Sequence, residues 1–176
     1  MTTMLKTTVD TIYASPNGMQ CHFLKFGNKG IKVYHERDEC DQSYANQFRL
    51  ASMGLAPKVY FKALIEVEGR DGRPGWTGYA FETELAEVKA SIKKPSRSRW
   101  IEDADNEAEW DSYDKAVRKF EDAIPGLRRK LEDAGCLWLD DHAGNIGFLE
   151  DGTAVIIDCA DNLFSNGRVG RDCFDL

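Results

Sequence analysis

Residues 136–158 constrain the fold most, because short apolar runs there are cut by polar turns at intervals too short for helices. Cys136 to Leu139 is followed by Asp140-Asp141-His142-Ala143-Gly144-Asn145, then by Ile146 to Leu149, Glu150-Asp151-Gly152 and Ala154 to Ile157, which ends on Asp158. Runs of this length bounded by Asp, Asn and Gly read as short buried strands joined by turns. One hairpin thereby gathers three carboxylates (Asp140, Asp141, Asp158), an imidazole and a carboxamide. Turns favour Asp, Asn and Gly in general. A carboxylate closing a buried strand is another matter, because it is costly unless paired or bound to a metal.

Upstream, turn signals divide the chain into strands and helices. Thr8 to Ala14 is β-branched and aromatic, and Ser15-Pro16-Asn17-Gly18 is a turn. Met19 to Phe26 alternates loosely before Gly27-Asn28-Lys29-Gly30 turns into Ile31-Lys32-Val33-Tyr34-His35. This reads as a three-stranded meander whose third strand carries Lys32. Tyr44, Phe48 and Ala51 or Leu50 recur at helical spacing over Asp41 to Met53, with Gly54 at C′ and Pro57 preventing continuation. Val59 to Val67 and Trp76 to Thr83 read as strands on either side of a glycine-rich loop. Basic Lys93, Lys94, Arg97 and Arg99 give way to Glu102, Asp103, Asp105, Glu107, Glu109 and Asp111, a solvated linker or helix face. Trp110, Tyr113, Val117, Phe120, Ile124, Leu127 and Leu131 then suit an amphipathic helix to Ala134, with Pro125 as a point of break or restart. The order is an α+β layout, a sheet lobe before a helical lobe.

A chain of 176 residues can form one compact domain or two small lobes sharing a cleft. Its 42% hydrophobic content excludes wholesale disorder, and a net charge of −7 argues against direct nucleic-acid binding, which calls for a basic face. The five cysteines (Cys21, Cys40, Cys136, Cys159, Cys173) form no Cys-x-x-Cys pair, and with His22, His35 and His142 they lack zinc-ligand spacing. They read as small buried hydrophobes in a reducing compartment. No N-terminal apolar run and no membrane-length run is present, so a soluble cytoplasmic protein is expected.

Asp140 and Asn145 lie five apart on a loop, and Asp158 follows at the end of the next strand, where loop and hairpin end can converge. A carboxylate and a carboxamide oxygen make a hard partial site that suits Mg²⁺ holding waters and phosphates. A second carboxylate off the metal could accept a hydroxyl proton during phosphoryl transfer. The run Asp140-x-His142-x-Gly144-Asn145-Ile146, a hairpin, then Ile156-Ile157-Asp158 resembles the catalytic and metal-binding loops of the protein-kinase-like superfamily. The nearest resemblance is to its aminoglycoside and choline phosphotransferase branch and to small bacteriophage-encoded kinases. The resemblance implies a minimal two-lobed kinase-like fold in a single domain, with an N-lobe over about 1–86 and a truncated helical C-lobe over about 87–176. It also implies Asp140 as catalytic base and Asn145 and Asp158 as Mg²⁺ ligands. Ile31-Lys32-Val33 resembles the third-strand lysine that steadies the α- and β-phosphates of ATP. Tyr79 to Ala86 resembles the fifth strand and hinge, so Glu82, Glu84 and Leu85 would meet the adenine.

The chain also departs from that pattern. The first hairpin has no G-x-G-x-x-G, and Trp138 replaces the loop's first histidine. No helix glutamate matches Lys32; Tyr44 or Gln47 occupies that face. Only residues 159–176, with Arg168 and Arg171, follow Asp158, too few for an activation segment. An open cleft receiving a protein hydroxyl is therefore expected, with Mg-ATP as donor. The alternative is a catalytically reduced, pseudokinase-like protein that captures or inhibits a host partner. A small-molecule kinase would need an enclosed acidic pocket, which the sequence does not display.

Overall fold

The computed structural model describes residues 4–14, 21–95, 104–159 and 164–165. The Ser15–Gly18 turn, Arg97, Arg99, Glu102, Asp103, Cys173, Arg168 and Arg171 lie outside the described residues. The chain is mixed α and β and divides into two compact units, residues 1–85 with 159–162, and residues 86–158 with 163–176.

The first unit is built on five strands, β1 (Met4–Thr8), β2 (His22–Phe26), β3 (Lys29–Tyr34), β4 (Val59–Glu68) and β5 (Trp76–Glu84). Their order is β1-β4-β5-β3-β2, with β1 parallel to β4 and the remaining pairs antiparallel. The expected strand from Thr8 to Ala14 is instead a short helix, α1 (Val9–Ala14). Thr8 Oγ1 accepts from the Thr11 N–H at 3.4 Å and caps it. The β-branched composition is overridden because β1 and β2 stand at opposite edges of the sheet, so the connection has to cross rather than fold back as a hairpin. Ile12, fully buried with Leu24, Ile31, Val33, Ile65, Val67 and Ala80, shows what α1 covers. The expected meander thus reduces to the β2–β3 hairpin.

Helix α2 (Arg37–Ser52) begins before Asp41 and ends where expected. Gly54, at φ 69°, lets its own N–H reach Ala51 O (3.0 Å) and the Leu55 N–H reach Leu50 O (2.9 Å), the paired bonds of a Schellman stop. The buried stripe of α2 is not the aromatic one. Cys40, Ser43, Asn46, Gln47 and Leu50 face inward, while Phe48 is exposed. A helix face this polar is tolerated only where its groups find partners, and Gln47 and Asn46 do.

The second unit holds β6 (Glu87–Val88), α3 (Ala104–Asp133), β7 (Leu137–Trp138), β8 (Ile146–Phe148), β9 (Ala154–Ile156) and β10 (Phe164–Ser165). Strands β6, β8 and β9 form one small sheet, and β7 pairs with β10. Helix α3 starts ahead of Trp110 and runs through Pro125, which lies exposed within it. The helix neither breaks nor restarts because Val117, Phe120, Leu127 and Leu131 are buried on both sides of the proline. Phe120 meets Phe148 of β8 edge to face at 5.1 Å, tying helix to hairpin. Among the described residues no helix is long and apolar enough to cross a membrane.

His22 at the start of β2 lies 5.6 Å from His35 between ring centroids, and His35 packs 4.0 Å from Trp76. Burial, and secondarily His35, hold His22 below its ordinary value. The unfolded chain therefore binds a proton more readily than the folded one, so the stability His22 contributes above pH 6.5 is lost as pH falls through that value. The melting temperature should drop less between pH 7 and 5 in His22→Gln than in the wild type, by about a degree or more on the usual scaling. Parallel pH profiles in a melting series would contradict this.

Candidate functional site

The loop after β7 is shaped by its own side chains. Asn145, buried, donates from Nδ2 to Asp140 Oδ2 at 2.7 Å and to the Asp140 carbonyl at 3.0 Å. The Asp140 carbonyl also accepts from His142 N at 3.1 Å. His142 Nδ1 accepts from Gly144 N at 3.0 Å, which leaves the proton of the neutral ring on Nε2, 3.3 Å from Asp140 Oδ2. With the His142 ring nitrogen close to Oδ2, Asn145 Nδ2 and the main-chain N–H of His142 thus converge on Asp140. Its Oδ1, and the carboxamide oxygen of Asn145, have no hydrogen bond among the described residues.

The β8–β9 hairpin carries Asp158 to the same end. Ile146 pairs with Ile156, and Ile157 N donates to Asn145 O at 2.9 Å, so Asp158 follows the residue opposite Asn145. The far turn closes through Leu149 N to Thr153 O and Gly152 N to Leu149 O, both 2.9 Å. Asp158 itself is exposed, lying beyond the last residue of β9. The expectation that it closes a buried strand at a desolvation cost is therefore corrected: the residue lies past the strand and is exposed, where a charge is cheaper than in the core. Asp141, expected as a surface neighbour, is held by Arg128 of α3.

In the first unit, Lys32 of β3 is buried beside Phe81, its register partner on β5. Its Nζ donates to Gln47 Oε1 at 2.9 Å. Gln47, fully buried, donates from Nε2 to Pro57 O at 2.9 Å and to Thr83 Oγ1 at 2.6 Å. Thr83 Oγ1 in turn donates to Lys58 O at 3.0 Å. Of the two residues the sequence offered for this helix face, it is Gln47 and not Tyr44 that reaches the lysine. Its signal was only positional, since Gln47 stands one helical turn past Ser43 on the buried stripe. The adjacent Asn46 donates to Cys159 O at 3.2 Å.

The residues expected to meet adenine are placed as follows. Glu82 lies within β5 opposite Ile31, and its carboxylate pairs with Lys29. Glu84 ends the strand; its N–H donates to Lys58 O at 2.8 Å and its carboxylate accepts from Lys58 N at 3.2 Å. Leu85 follows, half-buried. Trp138 is buried, as a core residue should be, with its indole N–H unpartnered among the described residues. Cys40, Cys136 and Cys159 are buried, and burial pushes the Cys40 thiol up to about 12, so it stays protonated.

The donor set suits a hard cation. A carboxamide oxygen without a hydrogen bond and an exposed carboxylate just beyond β9 are oxygen donors of the kind Mg²⁺ accepts while keeping its waters. Among the described residues no group of three His, Cys, Asp or Glu could hold a metal.

No protein-family model matches the chain, and no curated protein sequence does. Among solved structures the chain is similar to three of the protein WbdD, described in one of them as a bifunctional kinase-methyltransferase. One shows 10% identity and a TM-score of 0.47 over 85% of this chain and 31% of that one. Another shows 10% identity and a TM-score of 0.49 over 87% and 33%. A co-crystal structure with a kinase inhibitor shows 11% identity and a TM-score of 0.43 over 85% and 32%. The chain spans about a third of the length of those proteins.

Loss of the Asn145 amide leaves the Asp140 loop without two of its hydrogen bonds. Asn145→Ala should cost about 1–3 kcal/mol in urea unfolding, whereas Asp141→Ala, which loses a part-exposed ion pair, should cost about 0–1 kcal/mol. The reverse order would show that the loop is not organised by Asn145.

Proposed function

We propose that this chain is an ATP- and Mg²⁺-dependent phosphotransferase of protein-kinase-like fold, acting on a serine or threonine hydroxyl of a protein. The observation that carries the reading is the pair of hydrogen bonds from Asn145 Nδ2 to Asp140, which leaves the carboxamide oxygen of Asn145 without a hydrogen bond among the described residues. A side chain so tied orients a base with one end and offers a ligand oxygen with the other.

In this reading Asp140 is the general base. Its Oδ2 is held by Asn145 and faced by His142, so Oδ1 is the oxygen that takes the proton of the acceptor hydroxyl. Asn145 and Asp158 would hold Mg²⁺, which when bound neutralises charge on the phosphates. Lys32 would donate to phosphate oxygens of the nucleotide from a position set by β3 and α2. Glu82, Glu84 and Leu85 would border the adenine, a role for which their place at the end of β5 is the support. Transfer of label from γ-labelled ATP to a panel of proteins is expected for the wild type. Asp140→Asn and Asp158→Asn should each lower the rate by about 100-fold or more. Equal labelling by all three would remove the assignment.

A second reading is a catalytically reduced member of the same fold that captures a protein partner. The neutral Gln47 against Lys32, where a carboxylate would be the stronger partner for an ammonium, favours it. Mg-ATP in the millimolar range should raise the melting temperature of an enzyme, because a ligand of the native state stabilises it. No rise would support the partner-capturing protein instead.

A further inference from the structure

We infer that Gln47 is a positioning residue for Lys32, and that this position requires a carboxamide and rejects a carboxylate. The inference rests on the phosphotransferase reading for its kinetic consequence but not for its geometry.

Both acceptors around Gln47 Nε2 are fixed by their own chemistry. Pro57 O can only accept. Thr83 Oγ1 has its proton directed to Lys58 O at 3.0 Å, so toward Gln47 it also accepts. Two acceptors at 2.9 and 2.6 Å demand a group with two N–H donors, and the carboxamide supplies them. Once Nε2 is spent in this way, Oε1 has one direction left, and Lys32 Nζ stands there at 2.9 Å. The orientation is dictated from behind rather than by attraction to the lysine.

A glutamate here would aim a lone pair at Pro57 O and leave that acceptor unmet in a fully buried site, and Thr83 could meet it only by swinging its proton away from Lys58 O. Its ways out are to rotate, which displaces Lys32, or to hold a proton and so imitate the glutamine in part. Among the described residues Lys32 is the charged group hydrogen-bonded to Gln47, while Pro57 and Thr83 carry no titratable group. The anchor therefore does not itself change with pH.

The test compares wild type, Gln47→Glu and Thr83→Val, each checked for folding by thermal melting. The first readout is the NMR signal of Lys32 in reductively ¹³C-methylated protein, assigned with Lys32→Arg. The second is kcat/KM for Mg-ATP from pH 6 to 8.5. In Gln47→Glu the Lys32 signal should shift at pH 8 and return toward the wild-type position on acidification. The kcat/KM should fall about 100-fold at pH 8, as misplacing a reactive group does, and recover relative to wild type at pH 6. Thr83→Val, which keeps the shape and removes one acceptor, should move the signal in the same direction by less and serves if Gln47→Glu does not fold. A Lys32 signal unchanged in both variants would overturn the inference. Absence of turnover in the wild type would overturn the phosphotransferase reading, while the NMR signal would still decide the role of Gln47.

Discussion

The burial of one ammonium group sets the terms for the first unit. Lys32 sits 7% exposed on β3, and a buried cation requires hydrogen-bonding partners. Gln47 is one, and it is anchored in turn at Pro57 and Thr83. The chain of bonds joins β3, α2, the lead-in to β4 and the end of β5. Each unmet member of such a network costs about 1–3 kcal/mol, so the network resists partial rearrangement. This explains why α2 turns Gln47 inward, and the neighbouring Ser43 and Asn46 are met in the same way by Tyr34 and Cys159, while Phe48 stays in water against the ordinary preference.

The second unit solves a different problem by a similar device. A seven-residue loop between β7 and β8, residues 139–145, has to hold a carboxylate still without neutralising both of its oxygens. Asn145 does this from the strand side by bonding Oδ2 and the carbonyl of Asp140, and His142 from the loop side through its main-chain N–H to the same carbonyl, its ring 3.3 Å from Oδ2. The same asparagine opposes Ile157, so the main-chain register that forms the hairpin also delivers Asp158. Position and chemistry come from one pairing pattern, and a slip of one residue would turn these side chains to the other face.

Much of this was legible in the chain. Alternating apolar runs and Gly-Asp-Asn turns located β8 and β9, and the five-residue spacing of Asp140 and Asn145 marked the pair that the loop brings together. Gly54 marked the end of α2 because a left-handed C′ residue is most readily glycine. Less legible was α1, whose Thr8, Thr11 and Ile12 carry strand-like character. The burial of Asp158 was misjudged for a related reason. An apolar run predicts that its strand is buried but not where the chain re-enters water.

By itself, then, the sequence determined the local elements and the candidate chemistry: short strands, a helix ended by a glycine, a carboxylate–carboxamide pair and a lysine between apolar residues on a strand. These follow from periodicity and backbone preference, which act over a few residues. The tertiary structure alone decided that β1 pairs in parallel with β4 and that Gln47, not Tyr44, meets Lys32. It also decided which way the Gln47 carboxamide points. Those outcomes depend on acceptors at Pro57 and Thr83, 10 and 36 residues away along the chain. No window of local sequence contains both the donor and the groups that fix its direction.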